Sequence, residues 1–341
     1  MSLNLPKEHL VSAVCSKALV RWGQTCLRIS PIIPYYHMVN DSDVPHIKHL
    51  YTYRREAEFR RDLDILLEHF RPISLEEFIV HLNGRSELPR DSLLLTFDDG
   101  FREMQEVVAP ILLEKGVPAT FFVTTSCIDN HNLAHHNKLS LLLEHIFKNG
   151  DSKLIKEVSL WLSCQGIPGN GLKPRILSID YHRGHLAEEL AVVCEYDFAE
   201  YLDVCKPYLT SEQIRWLLKQ GFTIGSHSID HPLYAMLSIE EQLNQTRASL
   251  QFLEERFQLP YRAFAFPHSD TGVKIDFFRV LFDEGNLDVS FGTGGMLPHF
   301  FSRNFQRIAM EEPLLPAESI LAKQYARVLY RTMIGRGIRR G

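Results

Sequence analysis

The sequence is most informative first through what it lacks. Its six cysteines, Cys15, Cys26, Cys127, Cys164, Cys194 and Cys205, form no CxxC pair and follow no regular spacing. That excludes a zinc ribbon and a disulfide framework and leaves the thiols mostly reduced. No uninterrupted apolar stretch approaches the roughly 18 residues that a membrane-spanning helix needs. The opening segment, MSLNLPKEHLVSAVCSKALV, lacks a basic start followed by an apolar run, because Lys7, Glu8, His9 and Lys17 interrupt it. No secretion signal is evident, and a cytoplasmic location is expected. Nor is there an excess of positive charge: 37 Lys and Arg face 42 Asp and Glu, a net charge of −5, which argues against a dedicated nucleic-acid binder.

What is present suits a soluble globular protein, with 45% hydrophobic and 23% charged residues in 341. The length fits one large α/β domain with an insertion, or two domains. PIIPYY (31–36) is β-prone and ends at His37. In 56–70, Phe59, Leu63, Leu66, Leu67 and Phe70 share one helical stripe, and Ser74 with Glu77 forms a capping box for a short helix to Leu82. A strand at 93–97, a helix at about 104–115 ended by Gly116 and a strand at 119–123 continue an alternation of β and α. Between about 129 and 209 that alternation stops, and helical stretches near 138–147, 152–162, 186–194 and 198–205 indicate an inserted helical subdomain. It resumes with a capping box at Thr210 and Gln213, a strand at 222–225, a helix capped by Ser238 and Glu241, a strand at 263–266, a helix at about 274–284 and a strand at 288–292.

Alternating units of this kind imply a parallel sheet with helices outside, as an open sheet or a (β/α) barrel, with chemistry at the C-terminal strand ends. The expected organisation is an N-terminal helical extension (1–30), a barrel formed by 31–128 and 210–312, the helical insertion (129–209) and a basic C-terminal helix or tail (313–341).

Four of the expected strands deliver polar residues to that one face: His37, the pair Asp98 and Asp99, SHSIDH (226–231) and PHSD (267–270). Adjacent carboxylates on an extended backbone point to opposite sides and so serve different partners. His227 and His231 are separated by three residues, a spacing that lets two imidazoles reach one ion, and one carboxylate completes a two-histidine, one-carboxylate set. A divalent ion there would acidify water and polarise a carbonyl, while the carboxylate left over could take a proton. One of Asp98 and Asp99 is then the ligand and the other the base.

LLLTFDDGF (93–101), IGSHSIDHP (224–232) and FAFPHSD (264–270) resemble successive signature motifs of the polysaccharide deacetylases, carbohydrate esterase family 4, which share the homology domain of the rhizobial nodulation-factor deacetylase. The resemblance implies a (β/α) barrel, an irregular seven-stranded one, and hydrolytic removal of an N-acetyl group from an amino sugar in a surface polysaccharide or its precursor. It implies Asp98 as catalytic base, and Asp99, His227 and His231 as ligands of a divalent metal, usually Zn2+. Many members carry a late Leu-x-His motif whose histidine is the general acid, and no such motif is assigned after residue 267. Here the acid is taken from the N-terminal strand instead, since IIPYYHMV (32–39) resembles that of the circularly permuted deacetylases that trim poly-N-acetylglucosamine, which makes His37 the acid. After Pro267 stands His268 where the family usually has an aromatic residue, and its backbone N–H is the expected oxyanion donor. RIAMEE (307–312) resembles a segment of deacetylases from surface-glycan gene clusters. Rival readings are a deformylase or amidase acting on a lipid- or nucleotide-linked amino sugar, and a non-catalytic glycan-binding protein that keeps the fold.

Two further features compete with plainer explanations. HNLAHHNK (131–138) has three residues between His131 and His135, with His136 beside them, and could offer a second metal site; with no carboxylate pair nearby it reads instead as the polar start of the inserted helices, with His136 near the cleft. After Glu318 there are six basic residues and no acidic one: Lys323, Arg327, Arg331, Arg336, Arg339 and Arg340. Leu321, Tyr325, Val328 and Leu329 form another face, which suits a helix packed on the barrel with a frayed basic end. The alternative is peripheral contact with an anionic membrane.

Overall fold

The computed structural model describes residues 7–297, 301–313 and 315–334, with side chains from residue 16 onward. Eight strand segments form one parallel sheet: β1 (Pro34–Tyr36), β2 (Thr96–Phe97), β3 (Thr120–Val123), β4 (Thr223–Ser226), β5 (Ala263–Ala265), β6 (Val289–Gly292), β7 (Asn304–Gln306) and β8 (Ile308–Ala309). Their order is β8-β1-β2-β3-β4-β5-β6-β7. β7 and β8 are one run of chain broken only at Arg307; the first half pairs with β6 and the second with β1. The eight segments therefore close the sheet as an irregular barrel of seven runs.

That closing run is absent from the sequence-based expectation. NFQRIA mixes Asn304, Gln306 and Arg307 with few apolar residues, and its polar side chains turn inward to other polar groups. A hydrophobic-pattern test sees only a loop there. The expected strand 93–97 is also divided. Ser92–Leu93 pairs with Arg71–Pro72 in a separate two-stranded sheet, and only Thr96–Phe97 joins the barrel.

Local chemistry explains most element boundaries. Ser74 with Glu77, Thr210 with Gln213 and Ser238 with Glu241 each form reciprocal capping boxes, opening helices Leu75–Leu82, Ser211–Lys219 and Ile239–Phe257. Each cap contributes about 1 kcal/mol by satisfying N–H groups that the first helical turn leaves unpaired. Gly116, at φ 64°, ends the helix Ala109–Lys115 in the left-handed conformation that glycine adopts without a Cβ penalty.

Between β3 and β4 lie helices His135–Asn149, Ser152–Cys164, Leu172–Leu177, His185–Val193 and Phe198–Cys205. The short helix Leu172–Leu177 is not anticipated from sequence, because Pro174 and its flanking glycines mask it. Leu142, Val158, Leu162 and Leu190 are fully buried in a cluster of their own, which also takes in Met38, Val44 and Ile47 from the loop after β1. Each such side chain contributes about 1.5–3 kcal/mol, so the helices are anchored on the barrel's C-terminal face. At the other end, helix Lys7–Leu27 packs on helix Ala317–Met333, where Leu321, Tyr325 and Val328 are buried. Lys323 pairs with Glu312 at 2.6 Å; Arg336, Arg339 and Arg340 lie outside the described residues. No described helix is long and apolar enough to cross a membrane.

Candidate active site

β2 ends at Phe97, and the chain then turns sharply: Asp99 has φ 74° and Gly100 φ 76°. A Cβ on Gly100 would meet Val123 at 3.1 Å in a conformation that other residues rarely adopt. The two carboxylates do diverge, but Asp99 stands in this left-handed turn rather than on an extended strand.

Asp98 is gripped by Arg307, whose two terminal nitrogens donate to its two oxygens at 2.6 Å each. Both side chains are buried. Burial alone would raise the Asp98 pKa, but Arg307 and then His227 offset it, and the net direction is down. Arg307 in turn lies over the ring of Tyr35, 4.6 Å from its centroid.

Asp99 faces the histidines. His227 follows β4 directly, and its Nδ1 donates to the Ala265 carbonyl at 2.8 Å, which leaves Nε2 directed at the carboxylates. That nitrogen is 3.5 Å from Asp99 Oδ1, and His231 Nε2 is 3.1 Å from the same oxygen. The other oxygen, Oδ2, accepts from the Tyr51 hydroxyl at 2.9 Å. Burial raises the Asp99 pKa, yet the adjoining imidazoles of His231 and His227 hold it well below the usual carboxylate range.

Asp99, His227 and His231 offer three ligand atoms within 4.8 Å of one another, all on buried residues. Asp99 Oδ1 is buried and makes no hydrogen bond, although two imidazole nitrogens stand beside it. An unpaired buried anionic oxygen between two lone-pair donors fits a divalent cation, and one oxygen with two nitrogens is a donor set suited to zinc.

His37 ends β1. Its Nδ1 lies 2.5 Å from Glu311 Oε2, and Glu311 Oε1 accepts the backbone N–H groups of His37 and Met38 at 2.9 and 3.0 Å. Burial would lower the imidazole pKa, but Glu311 outweighs it and raises it to about 9. His268, at φ 57°, stands across the cavity, its ring 4.6 Å from that of His231. His136, from the inserted helices, completes this side at 4.4 Å from His231 and 5.7 Å from His268.

His37, Asp98, Asp99, His227, His231 and His268 thus line one cavity of about 500 Å³. Three participants are not singled out by sequence: Arg307, Glu311 and Tyr51. RIAMEE marks the segment carrying the first two but not their partners, which lie 209 and 274 positions upstream. A further correction concerns the late motif. A Leu-x-His triplet does occur, at Leu297-Pro298-His299, and its histidine lies outside the described residues.

A parallel barrel that collects aspartates and histidines at its C-terminal strand ends is the framework of a hydrolase of the deacetylase class. A polysaccharide deacetylase family model matches residues 85–276, more than half of the chain, and the chain belongs to that family. Among solved structures it is similar in fold to the deacetylase PplD of Streptococcus pyogenes, determined in complex with acetate, with 15% identity, TM-score 0.52 and coverage of 84% of this chain and 95% of that one. It is also similar to IcaB from Ammonifex degensii, with 17% identity, TM-score 0.54 and coverage of 86% and 96%. No curated protein matches.

Proposed function

We propose that the protein is a metal-dependent hydrolase that removes an N-acetyl group from an amino sugar of a surface polysaccharide or its precursor. The observation that carries this reading is the convergence of Asp99, His227 and His231 beside an Arg307-held Asp98. Family membership supports an acetylated carbohydrate as substrate, and the acetate held by PplD agrees with release of that product.

Asp99, His227 and His231 would hold the cation, which supplies Lewis-acid polarisation of the acyl carbonyl and activation of water. Asp98 acts as general base. Arg307 keeps it ionised at neutral pH and fixes its plane, at the cost of basicity, so the proton it accepts from water stays only transiently. The backbone N–H of His268 donates to the developing oxyanion in this reading. His37, protonated below about pH 9 through Glu311, donates to the departing nitrogen.

The test is metal analysis combined with acetate release from N-acetylglucosamine oligomers. About one equivalent of divalent metal, with activity lost on chelation and restored by zinc, is the expected result. Protein that holds no metal and releases no acetate while still binding the oligomers would favour the glycan-binding alternative.

A further inference from the structure

The cavity has two chemically different sides. One is the floor of carboxylates and imidazoles. The other is built by the inserted helices and by the loop after His231, and most of its polar groups are already committed. The His135 ring pairs with the Ile179 carbonyl at 2.7 Å. Asp180 accepts the Arg183 N–H at 3.0 Å. The Tyr181 hydroxyl donates to Asp230 at 2.8 Å, and the other oxygen of Asp230 accepts from Gln245 at 2.6 Å. A subsite for a further sugar ring needs donors and acceptors free to meet hydroxyls. Apart from the second Asp180 oxygen and the half-buried ring of His136, which sits beside His231 and His268, what this wall leaves accessible is hydrocarbon: Leu177, Leu233 and Met236, with Leu50 facing them from the loop after β1. Met236 is 39% exposed, a large apolar side chain at the cavity edge.

We infer that the substrate is an amino sugar bearing an apolar aglycone, such as a lipid-linked sugar, and that the inserted segment covers that hydrocarbon. This rests on the deacetylase reading above: with acetyl as the group removed, the hydrocarbon must belong to the sugar's other substituent. Each methylene buried against Leu177 and Met236 strengthens binding, whereas a polar chain of further sugars would leave hydroxyls unpaired against the same wall.

The metal-loaded enzyme is assayed with the methyl and octyl β-glycosides of N-acetylglucosamine, the octyl one below its micellar concentration, with methyl N-hexanoyl-glucosaminide, and with the N-acetylglucosamine hexamer. The octyl glycoside is expected to exceed the methyl glycoside in kcat/KM by about tenfold or more, the scale on which an apolar pocket discriminates. In Leu177→Asn and Met236→Asn, each checked for wild-type circular dichroism, that ratio collapses towards one, mainly through KM. A hexamer hydrolysed faster than the octyl glycoside overturns the inference and leaves the deacetylase reading standing. A gain confined to the N-hexanoyl compound assigns the wall to the acyl chain and likewise overturns it. No hydrolysis of any of the four by protein carrying its metal overturns the deacetylase reading itself, and the inference with it.

Discussion

Arg307 holds Asp98 by two parallel hydrogen bonds of 2.6 Å between fully buried partners, from a position inside the run of chain that closes the barrel. The same side chain therefore serves the site and the fold. Arg307→Met would strand a buried carboxylate without its partner, a change that typically costs about 3–5 kcal/mol. Because the pair depresses the Asp98 pKa, its contribution is present above the ordinary carboxylate value and is lost as pH falls through the depressed one. In the variant burial acts without that partner and pushes the carboxyl up instead, so the sign reverses: the stranded charge costs most at neutral pH, and protonation relieves it as pH falls. Urea denaturation at neutral and acid pH, with a pH–rate profile, should show lower stability and an acid limb shifted upward. Arg307→Lys keeps the charge but not the fork, and should fall between. An unmoved acid limb with wild-type stability would remove Arg307 from both roles.

The paired carboxylates make a separable prediction. Asp98→Asn keeps the shape of the side chain but removes a base, so metal content should stay near wild type while turnover falls by about 10²-fold or more. Asp99→Asn removes the proposed charged ligand flanked by His227 and His231, and should weaken metal retention itself, typically the dominant effect when a ligand is lost. Metal content after dialysis is the measurement; equal loss in both variants would break the division of labour.

These residues also show where sequence was legible. Asp98, Asp99, His227 and His231 stand at strand ends whose apolar runs, LLLTF and FTIG, announce themselves, and a fixed topology brings such ends to one face. The capping boxes at Ser74, Thr210 and Ser238 are local side-chain grammar and were readable for the same reason. Arg307 and Glu311 were not. Their partners lie more than two hundred residues away, and burial of an arginine among Asp98, Tyr35 and Phe122 is a tertiary fact that no periodicity encodes. The π-turn at Met104–Val108, which interrupts an otherwise expected helix, is likewise invisible to a 3.6-residue pattern.

At the opposite end of the chain, Gly23 permits close contact between the two terminal helices: a Cβ there would fall 2.4 Å from ring carbons of Tyr325. Gly23→Leu should overpack that contact and destabilise by about 1–3 kcal/mol, read by chemical denaturation. Unchanged stability would mean that helix Ala317–Met333 is not held by this packing and that its basic face is available for other contacts.

The last prediction concerns the proposed proton donor. Glu311 accepts from the His37 ring and from two backbone N–H groups, and this pairing, against the effect of burial, lifts His37 to about 9. A raised pKa keeps the acid charged below that value and discharges it as pH rises through it. Glu311→Gln should therefore move the alkaline limb of the kcat profile to lower pH and leave metal content unchanged. His37→Ala should lose about 10²- to 10⁴-fold on an amide but far less on an activated ester, whose leaving group departs without a proton. Amide hydrolysis near the wild-type rate in His37→Ala would transfer the role to His268 or to His299 of the Leu-x-His triplet. His268→Ala and His299→Ala would then separate those two by the same amide-to-ester comparison.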